Sequence, residues 1–161
     1  MLNDKHDLYC FCSSPIGVLK IEATGKGICA IHFQKEKELS QAELSIPPHP
    51  LMQQAVRELG EYFNGDRRVF TLPLAPQGTP FQHSVWEALQ KIPYGTTCSY
   101  GEIAAAIGNP KASRAVGMAN NRNPLPILIP CHRVIGADGR RVGYGGGLDI
   151  KRKLLALEQG Q

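Results

Sequence analysis

Hydrophobic and polar positions alternate in two early segments of the chain. Leu19, Ile21 and Ala23 alternate with Lys20, Glu22 and Thr24, and Cys29, Ile31 and Phe33 repeat the pattern. A period of two is that of a half-buried strand. Ser13-Ser14-Pro15-Ile16-Gly17 and Gly25-Lys26-Gly27 supply turns, and residues 8–12 supply a partner strand. Together these segments predict an antiparallel meander. The polar, then proline-rich stretch 35–50 predicts an exposed loop. Leu51, Ala55, Leu59 and Phe63 follow at the spacing of a helix face. Asn64-Gly65-Asp66 stops that helix, and residues 69–74 predict a further short strand.

Beyond Ala75-Pro76-Gln77-Gly78 the period becomes helical. Thr79 suits an N-cap, Pro80 the first helical position, and Gln82 the partner in a capping box. Phe81, Val85, Ala88, Leu89 and Ile92 form one apolar stripe, ended by Pro93-Tyr94-Gly95. Ser99 and Glu102 are spaced for a second capping box, opening a short helix through Ile107. Gly108-Asn109-Pro110 turns the chain into a third helix over 111–121. Two short helices joined by a three-residue turn have the form of a helix-turn-helix, which structural helical hairpins share. In residues 123–130 the prolines forbid a helix, while Leu125, Ile127, Leu128 and Ile129 demand burial. A glycine-rich segment at 143–147 leads into a last helix, with Ile150, Leu154 and Leu157 inward and Lys151, Arg152 and Lys153 toward solvent. The expected fold class is α+β. Residues 1–75 form a small antiparallel sheet with one helix, as structural support. Residues 79–161 form a mostly helical domain containing the helix-turn-helix.

Composition narrows the setting. At 161 residues the chain fits one compact unit or two small subdomains. No apolar run is long enough to span a bilayer as a helix. The start, Met1-Leu2-Asn3-Asp4-Lys5, has no basic region followed by an apolar stretch, so a cytoplasmic location is expected. Cys10, Cys12, Cys29, Cys98 and Cys131 are an odd set without disulfide-framework spacing, and are expected as thiols. Cys10 and Cys12 fit one face of a strand, with no second ligand pair at structural-zinc spacing. The net charge of +4 is uneven: residues 1–78 carry 8 basic and 9 acidic side chains (−1), residues 79–161 carry 10 and 5 (+5). The second half is the one suited to a polyanion.

Cys131 directly follows the buried run and precedes His132-Arg133. Most cysteines in such a place are inert core thiols. Here Pro130 pins the residue on an ordered, extended segment, and an imidazole able to act as a base near neutral pH is adjacent. Arg133 adds positive charge, which favours thiolate. Neighbours in sequence need not face each other, so nucleophile and core thiol both stand at this point.

Pro130-Cys131-His132-Arg133-Val134, preceded by Asn123-Pro124-Leu125-Pro126-Ile127-Leu128-Ile129, closely resembles the signature of the O6-alkylguanine-DNA alkyltransferases, also called methylated-DNA–protein-cysteine methyltransferases. The likeness extends through Phe81-Gln82-His83-Ser84-Val85-Trp86, Ser99-Tyr100-Gly101-Glu102-Ile103-Ala104, Ser113-Arg114-Ala115-Val116-Gly117, Gly143-Tyr144-Gly145-Gly146-Gly147-Leu148 and Leu154-Leu155-Ala156-Leu157-Glu158. It covers nearly all of residues 79–161; the N-terminal half resembles the family only in length and pattern.

The resemblance implies DNA repair by direct, stoichiometric, irreversible transfer of an alkyl group from the O6 atom of guanine to Cys131. O4-alkylthymine is a second candidate substrate. It implies His132 as general base acting through a water and Glu158 as the group that orients and stabilises the imidazolium. Tyr100 would donate to guanine N3, and Asn123 would brace the segment carrying the thiol. The target nucleotide must leave the base stack. The resemblance assigns Arg114 to fill the gap from the minor groove, Ala115 and Gly117 to close backbone approach, and Tyr144, Gly145 and Gly146 to the pocket wall. The partner is double-stranded DNA containing O6-alkylguanine, bound by a monomer, with no membrane involved. No cofactor is implied. Some members carry zinc in the N-terminal half, but Cys10 and Cys12 lack the accompanying ligand pattern, so no metal is expected.

Three other readings explain less. A non-catalytic sensor of alkylguanine has tryptophan in place of Cys131. A cysteine hydrolase built on Cys131 and His132 has no use for the helix pair and Arg114. A transcription regulator leaves Cys131, Tyr100 and Glu158 without a role.

Overall fold

The alternating segments form the expected meander, with β1 (Leu8–Ser14), β2 (Gly17–Thr24) and β3 (Gly27–Gln34) antiparallel and in that order. The computed structural model describes residues 8–34, 38–136, 144 and 146–160. The chain divides into two units, Met1–Gln77 and Gly78–Gln161.

In the first unit, Leu19, Ile21 and Ala23 of β2 are buried, as their alternation requires. Cys10 and Cys12 project from the same face of β1, both half-buried. Burial, then the neighbouring Cys12, pushes the Cys10 thiol up to about 12, and burial pushes Cys12 up to about 11. Among the described residues, no group of three or more His, Cys, Asp or Glu side chains is placed to hold a metal ion. Within the stretch expected as a loop, Ser40 and Glu43 close a capping box around one extra turn, α1 (Gln41–Leu44).

Helix α2 (Pro50–Phe63) buries Met52, Ala55, Leu59 and Tyr62, while Leu51 and Phe63 are only half-buried. A strict four-residue spacing drifts around a 3.6-residue turn, so the real apolar face is rotated from the expected row. The strand expected at 69–74 is absent. The Thr71 N–H donates instead to the buried carboxylate of Glu58 at 2.8 Å. Only the end of the stretch meets the sheet, with Ile28 N–H to Pro73 O (2.9 Å) and Ala75 N–H to Ile28 O (2.7 Å).

The second unit opens with α3 (Pro80–Leu89), started by the predicted Thr79–Gln82 capping box. Its Trp86 is buried and donates Nε1–H to Ala119 O at 3.0 Å, tying α3 to α5 (Ser113–Asn121). The second predicted capping box, Ser99–Glu102, starts α4 (Tyr100–Ala106). Helices α4 and α5 pack together, but residues 107–112 join them, a longer connection than the three-residue turn expected. Pro110 and an N-cap Ala112 that offers no side-chain acceptor delay the start of α5. Helix α6 (Leu148–Glu158) closes the chain. Among the described residues, no helix is long and apolar enough to cross a membrane.

A two-stranded parallel pair positions the site. β4 (Cys98–Ser99) pairs with β5 (Val134–Ile135), with Cys98 opposite Val134 and Ser99 opposite Ile135. Tyr100 follows β4 at once, and Cys131 stands three residues before β5.

Candidate active site

Residues 123–130 form the platform beneath Cys131. Asn123 spans it: Oδ1 accepts from the Leu125 N–H at 2.9 Å, and Nδ2 donates to Ile129 O at 2.8 Å. The same side chain acts on the Cys131 thiol, favouring its ionised form. Ile127 adopts a left-handed backbone at φ 76°, a conformation costing about 1–3 kcal/mol. The Ile129 N–H to Leu125 O bond, at 2.8 Å, closes the backbone around it. Leu125, Ile127, Leu128 and Ile129 are buried, as their pattern demands. The extended segment does not continue through the cysteine: Cys131–Arg133 forms a 3-10 turn. Three residues per turn spread the side chains of Cys131, His132 and Arg133 around the axis.

Glu158 gathers three groups: the His132 ring, the Arg133 guanidinium and a backbone N–H. His132 Nε2 lies 2.6 Å from Glu158 Oε2, and Arg133 meets both carboxylate oxygens, Nε to Oε1 at 2.8 Å and Nη2 to Oε2 at 3.1 Å. The Gly95 N–H adds a bond to Oε1 at 3.3 Å, and Arg133 Nη1 donates to Ile92 O at 2.8 Å. His132, Arg133, Glu158 and Lys151 are all buried. An ionised carboxylate only accepts, so the His132 proton sits on Nε2 and the lone pair on Nδ1. Nδ1 is buried and has no hydrogen-bond partner among the described residues.

Lys151 departs from the expected pattern of α6. Expected toward solvent, it is fully buried and donates Nζ–H to Val134 O at 2.5 Å. Lys151, Leu154, Leu155 and Glu158 fall at i, i+3, i+4 and i+7, one helix face. The helical spacing links the two residues, so once the fold turns Glu158 inward Lys151 follows it. Leu155, not Leu157, completes the buried face.

The charges decide how the thiol behaves. Burial pushes the Cys131 thiol up to about 11, opposed by the Asn123 side chain, the charge of Lys151 and the Tyr144 hydroxyl. Among the described residues the cation acting on the sulfur is thus Lys151; Arg133, expected in that role, is held by Glu158. Burial also pushes His132 below its ordinary value, although Glu158 pulls the other way. Burial thus favours the neutral form of both the thiol and the imidazole at rest. Arg133 and Lys151 against Glu158 leave one net positive charge in the buried cluster, the complement of one thiolate.

Tyr100 is half-buried at the start of α4. Burial, then the Cys131 sulfur as an anion, raises its phenol above the ordinary range, which keeps it a proton donor. Gly117 lies against this ring: a Cβ there would stand 3.7 Å from Tyr100 Cε1. The buried hydroxyl of Tyr144 is held well above its ordinary value by burial first and by Cys131 next. Gly146 is half-buried just before α6, and Gly145 lies outside the described residues. Arg114 and Ala115 are exposed on the first turn of α5. The structure therefore gathers Cys131, His132, Glu158, Asn123, Tyr100 and Tyr144, and leaves Arg114 and Ala115 on the surface. Asn120 is a buried neighbour that sequence reasoning missed; its Nδ2 donates to Cys131 O at 3.4 Å. Its place on the inner face of α5 is the only signal.

Two family models account for most of the chain. The DNA-binding domain of 6-O-methylguanine DNA methyltransferase matches residues 80–160, and the ribonuclease-like domain of the same proteins matches residues 8–76. The chain belongs to the 6-O-methylguanine DNA methyltransferase family. The second match brings into the family the half whose sequence alone resembled it only in length and pattern. A Methanosarcina acetivorans methylated-DNA–protein-cysteine methyltransferase is 50% identical over 151 residues, 93% of this chain and 97% of that protein. The constitutive methylated-DNA–protein-cysteine methyltransferase of Bacillus subtilis is 45% identical, covering 94% of each chain. Among solved structures of the family, Mycobacterium tuberculosis OGT in complex with DNA superposes with a TM-score of 0.83 at 45% identity. It covers 94% of this chain and 92% of that one.

Proposed function

We propose that the protein repairs alkylated DNA by accepting the alkyl group on Cys131, once per chain, as a monomer in the cytoplasm. One observation carries this reading. His132 is fixed through Nε2 to Glu158, and its opposite nitrogen, buried and without a hydrogen-bond partner among the described residues, carries the lone pair. The thiol proton moves through a water to Nδ1, and the thiolate is stabilised by Lys151, Asn123 and Tyr144. The sulfur attacks the sp³ carbon on guanine O6. The carbon–oxygen bond breaks with its electron pair passing to the purine, which Tyr100 eases by donating to N3. Tyr100 gives its proton to the purine and is reprotonated, through water, as the imidazolium releases the thiol proton, so that overall the S–H and C–O bonds are replaced by an S–C bond and an N–H on guanine. Imidazolium and thiolate form together, so the buried net charge does not change. Glu158 balances the imidazolium, the triad logic with sulfur as nucleophile.

A thioether is inert to the groups of this site, so the chain is consumed. With damaged duplex in tenfold excess, uptake is expected to stop at one alkyl group per chain, followed by transfer of radiolabelled methyl. Continued uptake would replace the reading with a turnover enzyme.

The base must be everted to reach a buried sulfur, at a cost of roughly a few kcal/mol. The exposed Arg114 fills the vacated stack, with Ala115 beside it small enough for α5 to approach the groove. Arg114→Ala is expected to slow repair of duplex DNA by about tenfold or more, the loss of a modest contact of ~1.4 kcal/mol, while reaction with free O6-benzylguanine stays near that of the native chain. Equal slowing on both substrates would remove Arg114 from base eversion.

A further inference from the structure

We propose that Arg133 is a positioning residue of the transfer reaction: by clamping Glu158, it limits the pull of that carboxylate on His132 and leaves the imidazole unprotonated between reactions. The proposal rests on the reading of Cys131 as acceptor and His132 as its base.

The geometry is specific. The guanidinium meets both oxygens of the carboxylate that His132 also uses, at 2.8 and 3.1 Å, and its remaining nitrogen is fixed on Ile92 O at 2.8 Å. The planar fork of arginine fits a carboxylate in a way a lysine does not. All three side chains are buried, so their charges are weakly screened. A lone carboxylate 2.6 Å from Nε2 would draw a second proton onto the ring. That pull works against burial, and each increment of imidazolium removes a lone pair that could receive the thiol proton. Arg133 neutralises that carboxylate at rest. When the thiol ionises, the thiolate supplies the missing counter-charge and the imidazolium becomes tolerable.

The other charges around the ring agree with this assignment. Glu158 and Lys151 face it from α6, and Arg133 from its own turn. Cys131 adjoins it, and Tyr144 lies close enough to Glu158 to feel its charge. Helix α3 also packs on the turn, but its acid Glu87 is exposed, and its His83 meets Trp86 edge-on with ring centroids 5.3 Å apart. Among the described residues, removing Arg133 therefore leaves Lys151 as the remaining cation acting on His132.

The test is the pH profile of single-turnover methyl transfer in the native chain, Arg133→Gln and Arg133→Lys, beside nitrogen-15 NMR of His132 in the native chain. For Arg133→Gln the acid limb is expected to move up by about one pH unit, so that activity lost at neutral pH returns on raising the pH. Arg133→Lys keeps the charge but loses the fork, and is expected to lower the plateau without moving the limb. A limb that stays put in Arg133→Gln, or moves equally in both variants, would overturn the proposal and leave Arg133 a structural ion pair. NMR is expected to show the neutral Nε2–H tautomer at pH 7; an imidazolium there would overturn it without any variant having to fold. The NMR result needs no alkyl transfer, so failure of the native chain to take up methyl would sink the acceptor reading separately.

Discussion

Incubated with a duplex bearing O6-methylguanine, the native chain is expected to gain one CH2 unit of mass on the peptide containing Cys131, and Cys131→Ser to gain none. The serine hydroxyl would occupy the same place, but it ionises far less readily than a thiol and is the poorer nucleophile for an sp³ carbon. The remaining four cysteines serve as internal controls. Burial raises the thiols of Cys10, Cys12, Cys29 and Cys98 above their ordinary value, as it does Cys131. Burial alone therefore does not select the acceptor. Lys151, Asn123 and Tyr144 oppose it at Cys131, whereas the nearest ionisable neighbour of Cys98 is the carboxylate of Glu102, which raises that thiol further. Peptide mass spectrometry reads the outcome directly. Methyl on any other cysteine of the native chain, or any methyl uptake by the Cys131→Ser variant, would remove Cys131 from the centre of the chemistry.

Glu158→Ala is expected to lower the stability of the folded chain by about 3–5 kcal/mol, the usual cost of removing one partner from a buried ion pair. The size of the loss follows from what is stranded. Arg133 loses the acceptor of two nitrogens, His132 loses the bond at 2.6 Å that fixes its tautomer, and the Gly95 N–H loses its acceptor. Glu158→Gln keeps the shape and one carbonyl oxygen, and is expected to lose less stability while still slowing transfer, because its amide cannot balance an imidazolium. Urea denaturation of the three chains measures the first effect and single-turnover transfer the second. A stability loss below about 1 kcal/mol in Glu158→Ala would mean that the cluster is solvated and that the surface value for an ion pair applies.

Much of the fold was legible because local rules and tertiary packing agree. The alternation in β2 and the turns that flank it fixed the meander, since a strand with one covered face must alternate. Thr79–Gln82 and Ser99–Glu102 marked two helix starts because a capping box satisfies orphan N–H groups within four residues. Some elements were misread for local reasons, such as the rotated face of α2, and one because a distant group won. Residues 69–74 have strand character, but the Glu58 carboxylate takes the Thr71 N–H that a ladder would need.

The same division holds at the site. Residue order alone pointed to the nucleophile, the neighbouring imidazole, the apolar run that buries them and, through linked motifs, the family. These lie within a few residues of one another or in recognisable order. Which charge serves which group was settled by the folded arrangement. It sent Arg133 to Glu158 rather than to the sulfur, brought Lys151 from an apparently solvated Lys-Arg-Lys run into the core, and set Tyr100 near Cys131 through the pairing of β4 with β5. Electrostatic partners are chosen by distance and burial in three dimensions, and chain spacing carries neither.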